Sequence, residues 1–556
     1  MKKTALMTLL AGFICMGNVQ AQDMLDAYKL SKSDYEGTAR TVAMGNAFTA
    51  LGGDLGAVNI NPASLAVTRY NQWTITPGVN ISINSAMGTL PPEPNNSENF
   101  TYFQRDTRNR WTKFDIPNIG ASLHFDTHHQ SGLKSWTIGV AYNRTWNYLD
   151  NMVARGTNKQ TSLMGAMAAD ITNAGIPFDD LMQEDSWDRH TWKRVIAAQS
   201  GMISAINLGG NSAIIGNNET FIDNGDGTFD IFQAGEMGQD YERIITGGKY
   251  DCVINLGFNI SDEFYLGANL GITTLDYNFD DCLTESSVDP KLFEQEFTDK
   301  DGNSFKAQFD YMKYKYSYSA TGTGIYGKFG FIWAPKFMGL RVGAAIQTPT
   351  LMNINEKWQN FAENRYIPSN VGAEAQSPLG EFSYKLRTPL SANFGVAYTL
   401  GRLGVISVDY ELTDYNMMRL KDSKRNFDDV YEPVNQEIKD LMVIGHKFRA
   451  GLEIKPLPSL ALRAGYGLMT SGERFYNAEG IKVKPKHSID QNFAFGLGYS
   501  TRGTFFFDLA AQCLKYGKEY VYLYDDYLLA GAGIYSPEIE SNHTRWNVLC
   551  TLGFRF

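Results

Sequence analysis

After its first 21 residues the chain has no apolar run long enough to cross a bilayer as a helix, and its mean hydropathy of −0.29 is slightly polar. A helical inner-membrane protein is excluded. Cysteine is scarce. Of five, Cys252, Cys282, Cys513 and Cys550 follow residue 21, too widely spaced for a disulfide framework or a metal knuckle, and they read as small apolar fillers. Pro/Ser-rich stretches and charge blocks of the kind that separate soluble domains are missing from the 556 residues. Basic charge is missing too. The net charge is −10, and losing Lys2 and Lys3 with a leader would make the mature chain two charges more acidic, which argues against nucleic acid as partner. Catalytic signatures do not occur: there is no Gly-x-Ser-x-Gly elbow, His-Glu-x-x-His helix or phosphate loop, so neither an enzyme nor a cofactor is expected. His128-His129 sits in a turn with no third ligand nearby, which leaves metal and haem unsupported. The "DKDGN" at 299–303 has calcium-loop spacing, but Ser304 stands where glycine is needed and Asp310 replaces the bidentate Glu; a hairpin turn is the expectation.

Aromatics and glycine, in contrast, are plentiful: 30 Tyr, 33 Phe, 9 Trp and 53 Gly, a pairing that suits strands and turns. The opening "MKKTALMTLLAGFICMGNVQAQD" has a basic start, an apolar core too short to span a bilayer, and a small-residue cleavage site before Gln22. Residues 1–21 are expected to be an export signal. Ile14 before Cys15 speaks against lipid attachment.

A period of two then runs along the chain. In "SYKLRTPLSANFGVAYTLG" one face is expected to hold Tyr384, Leu386, Leu390, Ala392, Phe394, Val396, Tyr398 and Leu400 and the other Lys385, Arg387, Ser391, Asn393, Gly395 and Thr399; "SIDQNFAFGLGYS" repeats the split with Phe493, Phe495 and Leu497. About fourteen such segments occur, ending with "TRWNVLCTLGFRF". Tight links such as 261–263, 401–404, 455–459 and 501–504 alternate with long polar stretches such as 84–113, 149–245, 281–310, 421–441 and 523–541. Short on one side and long on the other predicts an all-β fold: a transmembrane antiparallel β-barrel of about 14 strands in the cell outer membrane. The apolar face meets lipid, and the edge of the last strand is covered by the first, because an unpaired edge cannot persist in hydrocarbon. A soluble β-sandwich would have to bury that outward face under a second sheet. Outer-membrane lipid and lipopolysaccharide are the expected surroundings, and a monomer is expected.

Residues 22–70, before the first strand, are rich in small residues and glycine, with an apolar helical run near Val42–Leu51 and a turn at Asn61-Pro62. With both ends of the barrel on the periplasmic side, this segment is expected inside the lumen as a plug, leaving 71–556 as barrel and external loops. Its stretch "MGNAFTALGGDLGAVNINPASLA" resembles the hatch of the long-chain fatty-acid outer-membrane transporter family, the FadL/TodX type. The likeness is specific over about residues 37–70, where Asn61, Pro62 and Ala63 match the hatch motif and Ser64 replaces the glycine or alanine often seen next. The resemblance implies a fourteen-stranded barrel with a hatch and passive passage of hydrophobic small molecules. It also implies ligand contacts near the mature N-terminus, for which Leu25, Tyr28 and Leu30 are candidates. Phe554-x-Phe556 resembles the C-terminal signal read by the outer-membrane assembly machinery.

The function expected is therefore an outer-membrane channel that captures hydrophobic molecules at its loops and passes them by a hatch-gated route, with lateral release into the membrane as an option. A general porin or a surface adhesin barrel are the alternatives; the segment 22–70 speaks against both. In loop 149–245 the apolar pieces "SLMGAMAADI" and "WKRVIAAQSGMISAI" fit either a capture site or packing against the barrel rim. In "SWTIGVAYNRTWNY" the outward phase of Ile138, Val140 and Tyr142 reaches Arg144. Arg144 is expected at the outer rim beside Trp146, with a bulge near Gly139, as the resemblance's lateral opening implies, as the other option. Inward Glu411 and Arg449 on neighbouring strands are expected at similar height as a lumen ion pair.

Overall fold

The computed structural model describes residues 23–556 apart from 89–105, 209–210, 226–228, 299–301, 337–338, 369–370, 424–427, 477–479, 486–487, 502–503, 530–531 and 535. The leader and the first half of the "DKDGN" stretch lie outside the described residues.

Fourteen antiparallel strands close into one barrel: β1 (Gln72–Gly88), β2 (Thr107–Asp126), β3 (Leu133–Asn147), β4 (Met237–Ile260), β5 (Phe264–Ser287), β6 (Ser304–Trp333), β7 (Leu340–Gln347 and Leu351–Ile367), β8 (Gly380–Arg387 and Leu390–Thr399), β9 (Gly404–Asp414 and Arg419–Asp422), β10 (Ile444–Leu457), β11 (Leu460–Thr470), β12 (Ile489–Thr501), β13 (Phe505–Lys515) and β14 (Glu538–Arg555). β14 returns to β1 from Gln72↔Arg555 up to Gly88↔Ile539. Closure extends to the last residue, where the Phe556 amide donates to the Asn71 carbonyl at 3.0 Å and the reverse bond is 3.1 Å. No edge of the final strand is left for solvent or lipid.

The burial pattern is the inverse of a soluble protein's. Phe394, Val396, Val408, Phe448, Phe495, Leu497 and Val548 are exposed on the outside, while Asn393, Asp409, Glu411, Arg449, Arg463, Asn492 and Asn547 are buried within. Such a surface is stable only against hydrocarbon. Aromatic pairs mark the rim near the short turns: Phe125 stacks on Trp136 at 4.2 Å and Phe264 on Trp333 at 6.5 Å. β6 runs for 30 residues, far beyond the roughly 9–11 needed to cross a bilayer, so the barrel stands well above the membrane on the loop side.

Three neighbouring strands are interrupted at one height: β7 at 348–350, β8 at 388–389 and β9 at the 3-10 turn Tyr415–Met417. Pro349 and Pro389 sit in two of the breaks, where a missing N–H does no harm. The breaks are stitched across, Thr350 N donating to Thr388 Oγ1 at 2.8 Å and Thr388 N to the Thr350 carbonyl at 3.0 Å. Each break reverses which alternate residues face inward. Below it Gly343, Asn393 and Asp409 point in; above it Met352, Ile354, Tyr384, Leu386 and Leu420 do, and the inner wall turns from polar to apolar. The single face expected to run from Tyr384 to Leu400 is therefore corrected: Tyr384 and Leu386 face the lumen and Phe394, Val396 and Tyr398 the outside, because the break at 388–389 shifts the alternation by one.

The helices Leu163–Asn173 and Trp192–Gln199 of the longest loop bury Leu163, Met164, Met167, Ile171, Val195 and Ile196 in one cluster with Leu283, Phe309 and Tyr366 of the tall strands. Of the two expectations for these pieces, packing against the rim is what the described residues display. The four cysteines are half-buried and unpaired.

Candidate functional site

Residues 24–67 pack against the inner faces of strands on all sides of the barrel, and they are held in two different ways. From Ala39 to Val67 the attachment is close backbone packing onto inward glycines. A methyl group added at Gly451 would lie 2.5 Å from the Met44 carbonyl oxygen; at Gly395, 2.7 Å from Thr49 Cβ; at Gly343, 2.8 Å from Ala50 Cα. Gly257 meets the Ala66 backbone in the same way, while Gly139 and Gly496 make room for the side chains of Leu65 and Ala43. Glycine is needed here because two backbones come closer than any Cβ permits.

The Asn61-Pro62-Ala63 motif is part of this contact. Asn61 caps the 3-10 helix Pro62–Val67, its Oδ1 accepting from Ala63 N at 3.0 Å, while its Nδ2 donates to the carbonyls of Thr49 (2.7 Å) and Phe331 (3.0 Å). One side chain thus ties its own turn, a second loop of the segment and strand β6 together. Pro62 supplies the fixed φ of a first helical residue and its carbonyl accepts from Asn255 Nδ2 at 2.8 Å. Gly267 and Gly330 make room for the motif: a Cβ at Gly330 would collide with Asn61 Oδ1.

From Met24 to Glu36 the attachment is apolar along the helix and electrostatic below it. The helix Met24–Ser31 is capped by Asp23 and buries Met24, Ala27, Tyr28 and Leu30 in the apolar chamber above the strand breaks, against Tyr148, Tyr277, Ile354, Tyr415 and Met418. Tyr28 packs edge-on to Tyr415 at 4.8 Å, and its hydroxyl accepts from Gly472 N at 2.9 Å. Leu25 differs from Tyr28 and Leu30: it faces out of the chamber, 48% exposed. Burial lifts the Asp26 carboxyl to about 6 against the opposing pull of Lys29. Below the helix, wall cations converge on residues 30–36. Lys249 Nζ donates to the carbonyls of Leu30 and Ser31 at 3.3 Å, where the helix dipole is negative. Lys328 Nζ reaches the Tyr35 hydroxyl at 2.9 Å, and Arg449 Nη2 pairs with Asp34 at 2.9 Å.

Glu411 and Arg449 are in contact at 2.8 Å, and Lys447 adds a second ion pair to Glu411 at 2.9 Å. The pair expected at similar height is formed, and the register adds which rungs it spans. Directly opposite pairs are Glu411↔Lys447 and Asp409↔Arg449, so the Glu411–Arg449 contact is diagonal, bridged by the length of the arginine. Through Asp34 it also holds the N-terminal segment, beyond bracing the wall.

Arg144 is not at the outer rim. It is 1% exposed and points inward, because the ladder to β4 shifts between Arg144 and Trp146 and carries the side chain round. Through Gly139 the pairing is regular on both edges, Ser122↔Gly139 and Gly139↔Asn255, and the shift lies higher, between Arg144 and Trp146. Above Asn118↔Asn143 the ladder between β2 and β3 stops. Residues 107–115 of β2 pair with β1 alone, and β3 with its continuation Asp150–Asn158 pairs with β4 alone, among the described residues. Pro117, which has no N–H to give, and Pro77 opposite mark the place.

What fills that stretch of wall is the N-terminal segment. The amides of Asp34 and Glu36 donate to the carbonyls of Thr145 (2.6 Å) and Arg144 (3.0 Å), standing in for the missing partner strand. Arg144 ion-pairs with Asp115 of β2 and with Glu36, and Arg545 of β14 reaches the other Glu36 oxygen at 3.1 Å. Asn80 joins the cluster, accepting from Arg144 Nη2 at 3.1 Å and donating to Asp115 at 2.8 Å. The seal is made of side chains and a loop, on a wall that elsewhere is continuous ladder.

Cavities confirm where space remains. Toward the short turns, under Leu51 and Gly52, a polar vestibule of about 600 Å³ is lined by Arg40, Arg341, Glu453 and Lys455. Above the segment, the cavity beside Asp34, Glu36, Trp146 and Tyr516 has only about 40 Å³, room for a water or two. Near the top of the lumen Ser82 Oγ lies 2.9 Å from His543 Nε2, but Asp150 approaches that same nitrogen at 3.8 Å, so no Ser–His–Asp relay is formed.

Sequence reasoning missed Asp34, Glu36 and Asp115, and it missed the wall glycines as a set. A signal for the broken ladder was present in Pro77 and Pro117, each inside a strand pattern.

No protein-family model and no curated protein matches the chain. Solved structures similar to it include the Pseudomonas putida toluene transporter TodX, at 12% identity, TM-score 0.47, covering 94% of this chain and 99% of that one. A Pseudomonas aeruginosa FadL homologue is similar at 10% identity and TM-score 0.45 (94% and 99%), and the Ralstonia pickettii toluene transporter TbuX at 11% and 0.44 (95% and 100%).

Proposed function

We propose that this chain is an outer-membrane channel for passive uptake of hydrophobic small molecules, of the kind its hatch sequence resembles, with release sideways between β2 and β3. The observation that carries the reading is the interrupted β2–β3 ladder, where hatch residues 34–36 take the place of backbone pairing. A solute with ~300 Å² of apolar surface gains ~7 kcal/mol on leaving water for hydrocarbon. Leaving through the gap is downhill. Leaving through the vestibule of Arg40, Arg341 and Glu453 would forfeit that gain, so no energy source is required only for the lateral route. The apolar chamber now filled by the helix Met24–Ser31 is the place such a solute would occupy first, and displacing that helix would loosen the hold of Lys249 on residues 30–31. An open aqueous porin is disfavoured because a packed segment occupies the lumen.

The test is a reversible lock. Glu36 and Arg144 face each other across the antiparallel bridge, so Glu36→Cys with Arg144→Cys places two thiols within disulfide reach. In proteoliposomes, oxidation should abolish uptake of a radiolabelled long-chain fatty acid or alkylbenzene and reduction should restore it. Equal uptake in both states would overturn the lateral route.

A further inference from the structure

At the short-turn end of the barrel, positive charge gathers against the trend of the whole chain. The vestibule under Leu51 and Gly52 is one of two lobes, of about 600 Å³ and about 450 Å³, which share Arg40, Glu453, Lys455 and Pro458. Together the lobes are lined by six basic side chains, Arg40, Arg341, Arg402, Lys455, Arg463 and Arg555, and by three carboxylates, Asp54, Glu453 and Asp508. A chain of net charge −10 thus has a mouth in which cations outnumber carboxylates two to one.

Those carboxylates are already engaged. Glu453 takes Arg40 Nε at 3.0 Å and Arg463 Nε at 2.7 Å, with Lys455 Nζ at 3.7 Å. Asp508 pairs with Arg463, and Asp54 accepts from Thr38 Oγ1 at 2.7 Å and Gly56 N at 2.9 Å, with Arg40 at 3.8 Å. Among the described residues no ion pair involves Arg341, Arg402 or Arg555. Arg341 Nη1 donates to the Leu51 carbonyl at 2.5 Å, a contact that holds the N-terminal segment but brings no negative charge. Arg555 lies over the rings of Phe506 at 4.4 Å and Tyr70 at 4.8 Å, and its buried Nε has no hydrogen-bond partner.

A cleft lined by one sign of charge between low-dielectric walls focuses its field on ions of the other sign. Access decides which ions these are. The lobes lie inside the wall, out of reach of lipid head groups around the barrel, and the short-turn end of an outer-membrane barrel opens to the periplasm. Their size admits a small solute. Cations without a carboxylate stand in both lobes, Arg341 and Arg402 in the larger and Arg555 in the smaller, with Lys455 common to the two. One charged group cannot meet them all. We propose that the vestibule is a binding site for a small soluble oxyanion with two or more phosphate or carboxylate groups, held by Arg341, Arg402, Lys455 and Arg555, a site that depends on the closed barrel and not on what it transports. Guanidinium forks offer the paired donors that suit the oxygens of either group.

The test is isothermal titration of the full-length protein in a neutral, lipid-free detergent at low ionic strength, with pyrophosphate and tricarballylate as probes and acetate as the single-group control. Both probes should bind roughly 10-fold or more tightly than acetate, and Arg402→Gln with Lys455→Gln should weaken them roughly 10-fold or more. Heat-modifiable migration on gels checks that this variant is folded. If it is not, Arg402→Gln alone stands in, since Arg402 has no ion pair to lose among the described residues. Absence of binding by both probes, acetate binding as tightly as they do, or undiminished binding by the folded variant would each overturn the site.

Discussion

At the scale of single residues, the N-terminal segment is held by two kinds of contact with different tolerances. Contact with glycine is unforgiving, because a Cβ at Gly330 meets Asn61 Oδ1 and, at 2.9 Å, the Pro62 ring. Gly330→Ala should cost ~1–3 kcal/mol as overpacking and lower the temperature at which the barrel unfolds on gels. Gly327→Ala, whose nearest neighbours are 3.9 Å away, should leave it unchanged. The ionic contacts fail differently. Removing Arg449 leaves Asp34 without its partner and Glu411 with Lys447 alone, and a broken buried pair costs ~3–5 kcal/mol. Arg449→Ala should therefore lower heat resistance while leaving the order of preference among substrates as in wild type. A changed preference with unchanged stability would assign Arg449 to recognition instead. That Glu411 and Arg449 face the lumen was legible from the period of two. That they meet on the diagonal was not, since β9 and β10 are joined by the long connection between Asp422 and Ile444 and no tight turn fixes their register in the sequence.

At the scale of elements, the long loop is a packed lid with a buried acid in it. Glu219, at the start of the hairpin strand Glu219–Asp223, accepts from Gly216 N at 2.6 Å, and burial raises its carboxyl from 4.5 to about 7. A raised carboxyl means that the packed loop holds its proton more tightly than the unpacked loop. The contribution to the packed form is therefore fully present below about 4.5 and is lost as pH rises through about 7, by on the order of 3 kcal/mol. Hydrogen-exchange protection of the helix Leu163–Asn173 should fall between pH 5 and pH 8, and Glu219→Gln should flatten that change. Protection that rises with pH would refute the assignment. The strands themselves were legible as elements because alternation needs only neighbours in sequence. The breaks at Pro349 and Pro389 were not, because within one strand a reversal of facing looks like noise; three strands breaking at one height are needed to see it.

At the scale of the whole molecule, the barrel closes a lumen that its own N-terminus then fills. Deleting residues 23–70 should convert a closed barrel into one with large, steady conductance in planar bilayers, since the wall ladders on either side do not depend on the segment except at β3. A deletion barrel that stays closed would place the block in the loop helices instead. The open stretch should also become leaky to small hydrophobic probes in that variant, because Asp34 and Glu36 no longer cap the carbonyls of Thr145 and Arg144.

What the sequence determined by itself was the solvent of each face. Alternation, the rhythm of short and long connections and the apolar last strand leave one consistent solution, a closed barrel in lipid, because hydrocarbon tolerates no unpaired edge. The docking of Asn61-Pro62-Ala63 on glycines was half visible, as a turn motif without a partner. Only the tertiary structure decided where the wall is not a wall. Whether Arg144 faces lipid or lumen turns on one extra residue between Arg144 and Trp146 in the pairing with β4, and the ladder between β2 and β3 ends at Asn118↔Asn143, next to Pro117 and the register shift between β1 and β2. Both are matters of register between strands, a quantity fixed by long-range closure and not by any local run of residues.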